Sequence, residues 1–299
     1  MPDIKVKLGP ELANPTVQEK IAVWETGDLS EAEKKRPYAK YFYKDLNAPD
    51  PEVLAAFEEQ CDPARIIWPE QISDLLNPGY LDVEVGWCIM PNGAGFIANM
   101  TTMPGVTARM VEWWFTWFTL NDQRYKIWYK PSHIGHYISP ARRKIILDPK
   151  SRIPEDTVWG ATHHAVEDVG VGPELIDIHF KSPQELGFDM ERFHRPNVAT
   201  VIGGYGDEMV LANPEAPRGC AFMVHFIRDV EGGIEWRTRF WMGYRLQDGR
   251  ADCTIPPGEH VPEEAVKGLA VHNAHEYANY KVMLPAVYAE FGDRPIFED

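Results

Sequence analysis

From Ile234 to Leu246 the chain alternates strictly. Ile234, Trp236, Thr238, Phe240, Met242 and Tyr244 fall on one side, and Glu235, Arg237, Arg239 and Arg245 on the other. Successive side chains of a strand point to opposite faces, so this run reads as one long strand with an apolar face against a core. No helix has that period. Upstream lies a second apolar run, Cys220 to Arg228 (CAFMVHFIR), and Glu231-Gly232-Gly233 supplies the turn between them. The two predict an antiparallel hairpin.

Further strands follow from the same logic. Asp82-Val-Glu-Val alternates and leads into Trp87-Cys-Ile-Met. A turn at Pro91-Asn-Gly-Ala-Gly then gives way to Phe96-Ile-Ala-Asn-Met. Residues 124–130 (RYKIWYK) read as a short strand, and Trp159–Val169 and Leu175–Phe180 as extended. Gly105–Thr119 (GVTARMVEWWFTWFT) reads as a helix with Met110, Trp113, Trp114 and Trp117 on one side. Such a stripe either packs a core or lines an aromatic ligand.

The last element is a helix. Pro262 and two following glutamates mark its start. The run EEAVKGLAVHNAHEYANYKVML then reaches Pro285, which is expected to stop or kink it. Before Tyr80 the chain is rich in Pro, Lys and Glu and reads as short helices and loops. The clearest is Pro51–Cys61, with Val53, Leu54 and Phe57 at helical spacing. The fold class is therefore α+β, with a helical or loop region over 1–79 and a sheet-plus-helix domain over 80–299.

Charge narrows the function. Thirty basic against 45 acidic residues leave −15, which excludes a nucleic-acid or anionic-membrane surface. The apolar stretch Met110–Leu120 is about half a membrane span and carries Glu112. The opening segment, MPDIKVKLGPELANP, has no signal-peptide shape, so a cytoplasmic protein is expected. Cys61, Cys88, Cys220 and Cys253 form no CxxC pair, which argues against a thiolate zinc site. Ten histidines beside the carboxylate excess place any metal among imidazoles and carboxylates.

Three histidine clusters stand out. His272 and Glu276 are four apart on the final helix, so one cation can touch both or they can simply be solvated. His163-His164-Ala-Val-Glu167-Asp168 places His163 and Glu167 on one face of a strand. His133-Ile-Gly-His136 follows Trp128-Tyr129. Zinc, iron and manganese all suit such a set.

Four motifs in order, EWWFTWFTLNDQRYKIWYKPSHIG (112–135), HHAVEDVG (163–170), TRFWMGY (238–244) and HNAHE (272–276), resemble the 2,4-diacetylphloroglucinol hydrolase family, which includes phloretin hydrolases. The resemblance spans roughly residues 80–290. It implies a metal-dependent hydrolase, usually zinc-containing, that cleaves the carbon–carbon bond between a phenolic ring and an acyl group. An example is 2,4-diacetylphloroglucinol giving monoacetylphloroglucinol and acetate. It also implies a helix-grip sheet like that of the major birch-pollen allergen, and a homodimer. Carried over, the metal ligands are His133, Glu167, His272 and Glu276, with His136 the alternative to His133 and His163 a supporting partner.

A ring-proton donor is also required. Tyr125, in the family-like RY element, is the first candidate, followed by His225 and Tyr244, with His194 weaker. Trp113, Trp117 and Trp241 are candidates for stacking on the phenolic ring, against a plain core role. Alternatives are hydrolysis of phloretin-like dihydrochalcones or other β-diketones, and non-catalytic binding of a polyketide or flavonoid.

Overall fold

The computed structural model describes residues 17–170, 172–247 and 249–296. The opening segment discussed above lies outside the described residues. Elements run in the order α1 (Val17–Glu25), α2 (Ala39–Phe42), α3 (Pro51–Ala56), β1 (Gly86–Ile89), β2 (Gly95–Pro104), α4 (Ala108–Trp117), α5 (Asp122–Trp128), β3 (His133–Tyr137) and α6 (Pro140–Ile146). Then come β4 (Thr162–Asp168), β5 (Pro173–Phe180), β6 (Thr200–Val210), β7 (Gly219–Val230), β8 (Gly233–Met242), β9 (Tyr244–Gln247), β10 (Arg250–Cys253) and α7 (Glu263–Phe291).

Eight strands form one antiparallel sheet in the order β1-β2-β8-β7-β6-β5-β4-β3. The architecture is mixed α/β: a large antiparallel sheet with a long C-terminal helix. The helix α7 crosses one face. Val266, Ala270 and Ala274 pack on Trp87, Ile97, Ala221 and Met242 at its start. Tyr277, Tyr280, Leu284 and Val287 join the aromatic core built by α4 at its end. Gly95 permits the approach, since a Cβ there would lie 2.5 Å from Val266 Cγ2. Burying each large apolar side chain of this interface contributes about 1.5–3 kcal/mol.

Both expected hairpins form, β1–β2 and β7–β8. Four local expectations need correction. The long strand breaks at Gly243, whose φ of +85° and lack of a Cβ fit a turn that a side chain would jam against Ile255. Beyond the break Tyr244 joins the cluster of Phe222 and Trp241 on the opposite sheet face. Asp82–Val85 is not a strand: Glu84 accepts the backbone N–H of Leu81 at 2.7 Å, a local turn. Residues 124–128 belong to helix α5, capped by the Asn121 side chain accepting from Gln123 N. There Arg124 donates to Trp117 O at 2.9 Å and Lys126 pairs with Glu33 at 2.8 Å, tertiary contacts that override the β-like composition. Finally, of the stop or kink expected at Pro285, the stop does not occur: α7 continues to Phe291. Its last turns are held by Tyr41 donating to Ala286 O at 3.0 Å and by Phe291 stacking on Trp117 at 5.6 Å.

The polar face of β8 is covered rather than solvated. Arg237 and Arg239 are buried and pair with Glu84 at 2.5 and 2.7 Å. Ile66, Ile67, Leu75 and Leu76 of the preceding segment lie over the same face. The other face, beneath α7, encloses a cavity. No helix among the described residues is long and apolar enough to cross a membrane.

Candidate metal centre

Four side chains from three elements converge under α7. His133 opens β3 and pairs in register with Glu167 of β4, while His272 and Glu276 stand one turn apart on α7. Glu276 Oε1 lies 3.4 Å from His133 Nε2, and its Oε2 lies 3.6 Å from His272 Nε2. Glu167 Oε2 is 3.9 Å from His272 Nε2. Ligand atoms of His133, His272 and Glu276 all fall within 4.8 Å of one another.

Orientation of the imidazole is fixed from behind. His133 Nδ1 donates to the Tyr125 carbonyl at 3.0 Å, so Nε2 carries the free lone pair. That nitrogen is buried and has no hydrogen-bond partner among the described residues. The Tyr125 ring stacks on His133 at 3.9 Å, 3° from parallel. Its hydroxyl donates to Glu167 Oε1.

Charge points the same way. Burial lowers His133 and brings His272 down to about 4, so both imidazoles are neutral at pH 7. Their contacts with Glu276 are therefore not ion pairs. Burial lifts Glu276 to about 7 and raises Glu167. Two buried carboxyl groups and two neutral imidazoles stand together with no cationic side chain paired to them among the described residues. Ligands held about 2.0–2.2 Å from one tetrahedral ion sit roughly 3.3–3.6 Å from each other, close to the separations found. His133, His272 and Glu276 fit a divalent metal, with Glu167 beside them.

With His133 buried behind them, Glu167, His272 and Glu276 line a cavity of about 320 Å³. Its inner wall is aromatic, from Phe115, Phe118, Trp128, Phe180 and Phe240, and Glu174 and Glu208 also line it.

Of the candidate proton donors, Tyr125 and His225 line the cavity. Tyr244 does not: on the far side of the sheet, its hydroxyl accepts from Asn92 Nδ2 at 2.8 Å. His194 is exposed beside its neighbour's carbonyl. None of the three candidate stacking tryptophans lines the cavity. Trp113 and Trp117 stack on each other at 5.0 Å within the core. Trp241 stacks on Phe222 on the other sheet face and donates to Ile67 O at 3.0 Å. The odd–even alternation along β8 explains Trp241, since residue 241 faces opposite to 240. His136 lies on the cavity wall outside the ligand cluster, its ring 4.8 Å from that of His163. His163 packs on Phe180 at 4.6 Å rather than hydrogen-bonding to Glu167.

Sequence reasoning missed Phe115 and Phe118, hidden among tryptophans in one run, and Asn273 and Tyr277. The last two are four apart on α7, one position beyond the His272–Glu276 pair, and that spacing was the available signal.

A family model described as the DAPG hydrolase PhiG domain matches residues 67–289. The chain belongs to this family. Within it, the chain is 32% identical over 273 residues to a phloretin hydrolase of Eubacterium ramulus, covering 89% of this chain and 94% of that protein. It is 29% identical over 277 residues to a 2,4-diacetylphloroglucinol hydrolase of a Pseudomonas species, covering 87% and 90%. The corresponding protein of Pseudomonas protegens is 28% identical over 277 residues, covering 87% and 86%.

Proposed function

We propose that this protein hydrolyses the carbon–carbon bond between a phloroglucinol-type ring and an acyl group, using a divalent cation held by His133, Glu167, His272 and Glu276. Zinc is the first choice, with iron and manganese compatible with the same donors. The supporting observation is the orphaned His133 Nε2, aimed at Glu276 on the wall of an aromatic cavity. A non-catalytic carrier needs no such cluster. The cavity volume falls at the low end of the roughly 300–1,000 Å³ typical of small-molecule sites. The names of the relatives supply the substrate class, phenolic ketones, with diacetylphloroglucinol and phloretin the two specific candidates.

Bound there, the cation supplies Lewis acidity toward an acyl oxygen and lowers the pKa of a water molecule toward about 7. The rest falls to the chain. Phe118 and its aromatic neighbours hold the ring. Tyr125 is the ring-proton donor: burial, then Glu167, raises its phenol well above the usual value, so it stays protonated. A proton on the ring carbon makes the substrate a β-diketone, and water adds across the bond to give an arene C–H and a carboxylic acid. His225 is the second acid–base group on the wall.

We also read the sheet and α7 as a helix-grip fold. The chain divides into an N-terminal region, 1–79, and a catalytic domain, 80–299, of a cytoplasmic homodimer. Elemental analysis of the purified protein, followed by product mass with diacetylphloroglucinol and with phloretin, tests the proposal. About one equivalent of zinc and a phenol plus carboxylic acid product are expected. Absence of both points to a carrier.

A further inference from the structure

Beside His225 a buried chain of hydroxyls and amides runs through Thr238 to Tyr277 and Asn273, both of which also line the cavity. His225 Nδ1 lies 2.9 Å from Thr238 Oγ1, its cross-strand partner. Trp236 Nε1 donates to the same oxygen at 2.8 Å. Thr238 Oγ1 is 3.2 Å from the Tyr277 hydroxyl, which lies 2.9 Å from Asn273 Oδ1. Thr238 is wholly buried and Tyr277 nearly so.

Counting hydrogens decides the direction. A hydroxyl has one hydrogen and two lone pairs, and an indole N–H only donates. With the amide oxygen of Asn273 turned toward it, as in the structure, Tyr277 gives its hydrogen to Asn273, which leaves its own oxygen as an acceptor. Thr238 gives its single hydrogen to Tyr277. Its two lone pairs then accept from Trp236 and from His225, which must carry its hydrogen on Nδ1. In this arrangement all four contacts are hydrogen bonds, and the fifth, the Tyr277 oxygen 3.5 Å from His225 Nδ1, also joins a donor to an acceptor. In the reverse case Thr238 donates to His225, and the contact between Thr238 and Tyr277 has no hydrogen. A buried network that satisfies every member is strongly favoured over one that does not. Burial lowers His225 to about 3, so the ring is neutral and holds only that one hydrogen.

We propose that Thr238, backed by Tyr277 and Asn273, is a positioning residue that locks His225 in the Nδ1–H tautomer, leaving Nε2 as a hydrogen-bond acceptor for a phenolic hydroxyl of the substrate. This rests on the hydrolase function proposed above, and it gives His225 the opposite role to the one expected from sequence. Its acceptor nitrogen takes the phenol proton as the O–H electron pair moves into the ring. The ring carbon gains a proton from Tyr125, and the keto tautomer results. When the acyl bond breaks, the departing enolate recovers its proton from His225, and the proton shed by the attacking water returns to Tyr125. No proton is gained or lost overall beyond the added water.

The test is the tautomer itself, read by 15N NMR of the His225 imidazole, with His225→Gln assigning the signals. The wild-type protein should show a protonated Nδ1 and an unprotonated Nε2. Tyr277→Phe keeps the ring but removes the acceptor for Thr238, so Thr238 should turn its hydrogen to Nδ1 and move the proton to Nε2. Thr238→Val should release the lock, and Thr238→Ser should restore it. In turnover, Thr238→Val should lose about 10–100-fold in kcat with little change in KM and unchanged metal content, within the range general acid–base groups supply. A protonated Nε2 in the wild-type protein, or a tautomer indifferent to Tyr277→Phe, overturns the proposal. The NMR measurement needs no turnover. If the wild-type protein proves inactive toward acylphenols, the hydrolase function fails while the tautomer still decides the role of Thr238.

Discussion

The Nδ1 nitrogen of His133 is held 3.0 Å from the backbone carbonyl of Tyr125, and the ring of the same tyrosine stacks on it at 3.9 Å. One residue thus serves the imidazole through its main chain and its ring, and Glu167 through its hydroxyl. The two services can be separated. Tyr125→Phe keeps the carbonyl and the stack. It should retain the metal, measured by elemental analysis, while kcat falls by about 10²–10⁴ for loss of a general acid.

Metal affinity should rise with pH. Without metal, Glu276 titrates at about 7, whereas His272, at about 4, is already neutral. A cation must displace the Glu276 proton, so binding should tighten between pH 6 and 8 and release protons at pH 6. Calorimetry in buffers of different ionisation enthalpy measures this release. The metal-free protein should behave in the opposite sense. A carboxyl raised in the folded state keeps its proton after the unfolded chain has lost it. Its contribution to stability is therefore lost as pH climbs from about 4.5 to about 7.

Glu84 should matter for stability alone. It sits beneath two buried guanidiniums, 2.5 Å from Arg237 and 2.7 Å from Arg239. Glu84→Gln should cost about 3–5 kcal/mol, because it strands buried charge. A lower urea midpoint with intact metal content is the expected outcome. Burial alone would raise this carboxyl, but Arg239 and Arg237 overcome it and hold it below the usual range. Its contribution is present above the unfolded carboxylate pKa and lost as pH falls through the lower folded value. The gap between wild type and variant should narrow on acidification.

Trp241→Phe and Phe118→Ala should part company. Trp241 stands outside the cavity and bonds to Ile67 O, so its loss should cost about 0.5–1.5 kcal/mol of stability and leave KM alone. Phe118 lines the cavity, and Phe118→Ala should raise KM. Urea titration and steady-state kinetics on both variants separate the two outcomes.

Alternation and helical spacing made the β7–β8 hairpin and α7 legible, because each buries one face and periodicity records burial. The same periodicity misplaced the strand end at Tyr244, where a single glycine with positive φ turns the chain over. Residues 124–128 misled because Tyr, Ile and Trp favour strands, while Arg124 and Lys126 are committed to helix by distant partners. The His272–Glu276 pair could be seen because four residues make one helical turn. Its convergence with His133 and Glu167 could not, since that depends on sheet register. The tryptophans drew attention through size, but size says nothing about which face of the sheet they occupy.

The most direct test of the central claim is the metal content of His272→Ala together with its activity on an acylphloroglucinol. Wild type should hold about one equivalent of metal and release the acyl group as a carboxylic acid, and the variant should lack both. Full hydrolysis by a metal-free His272→Ala protein would contradict the account.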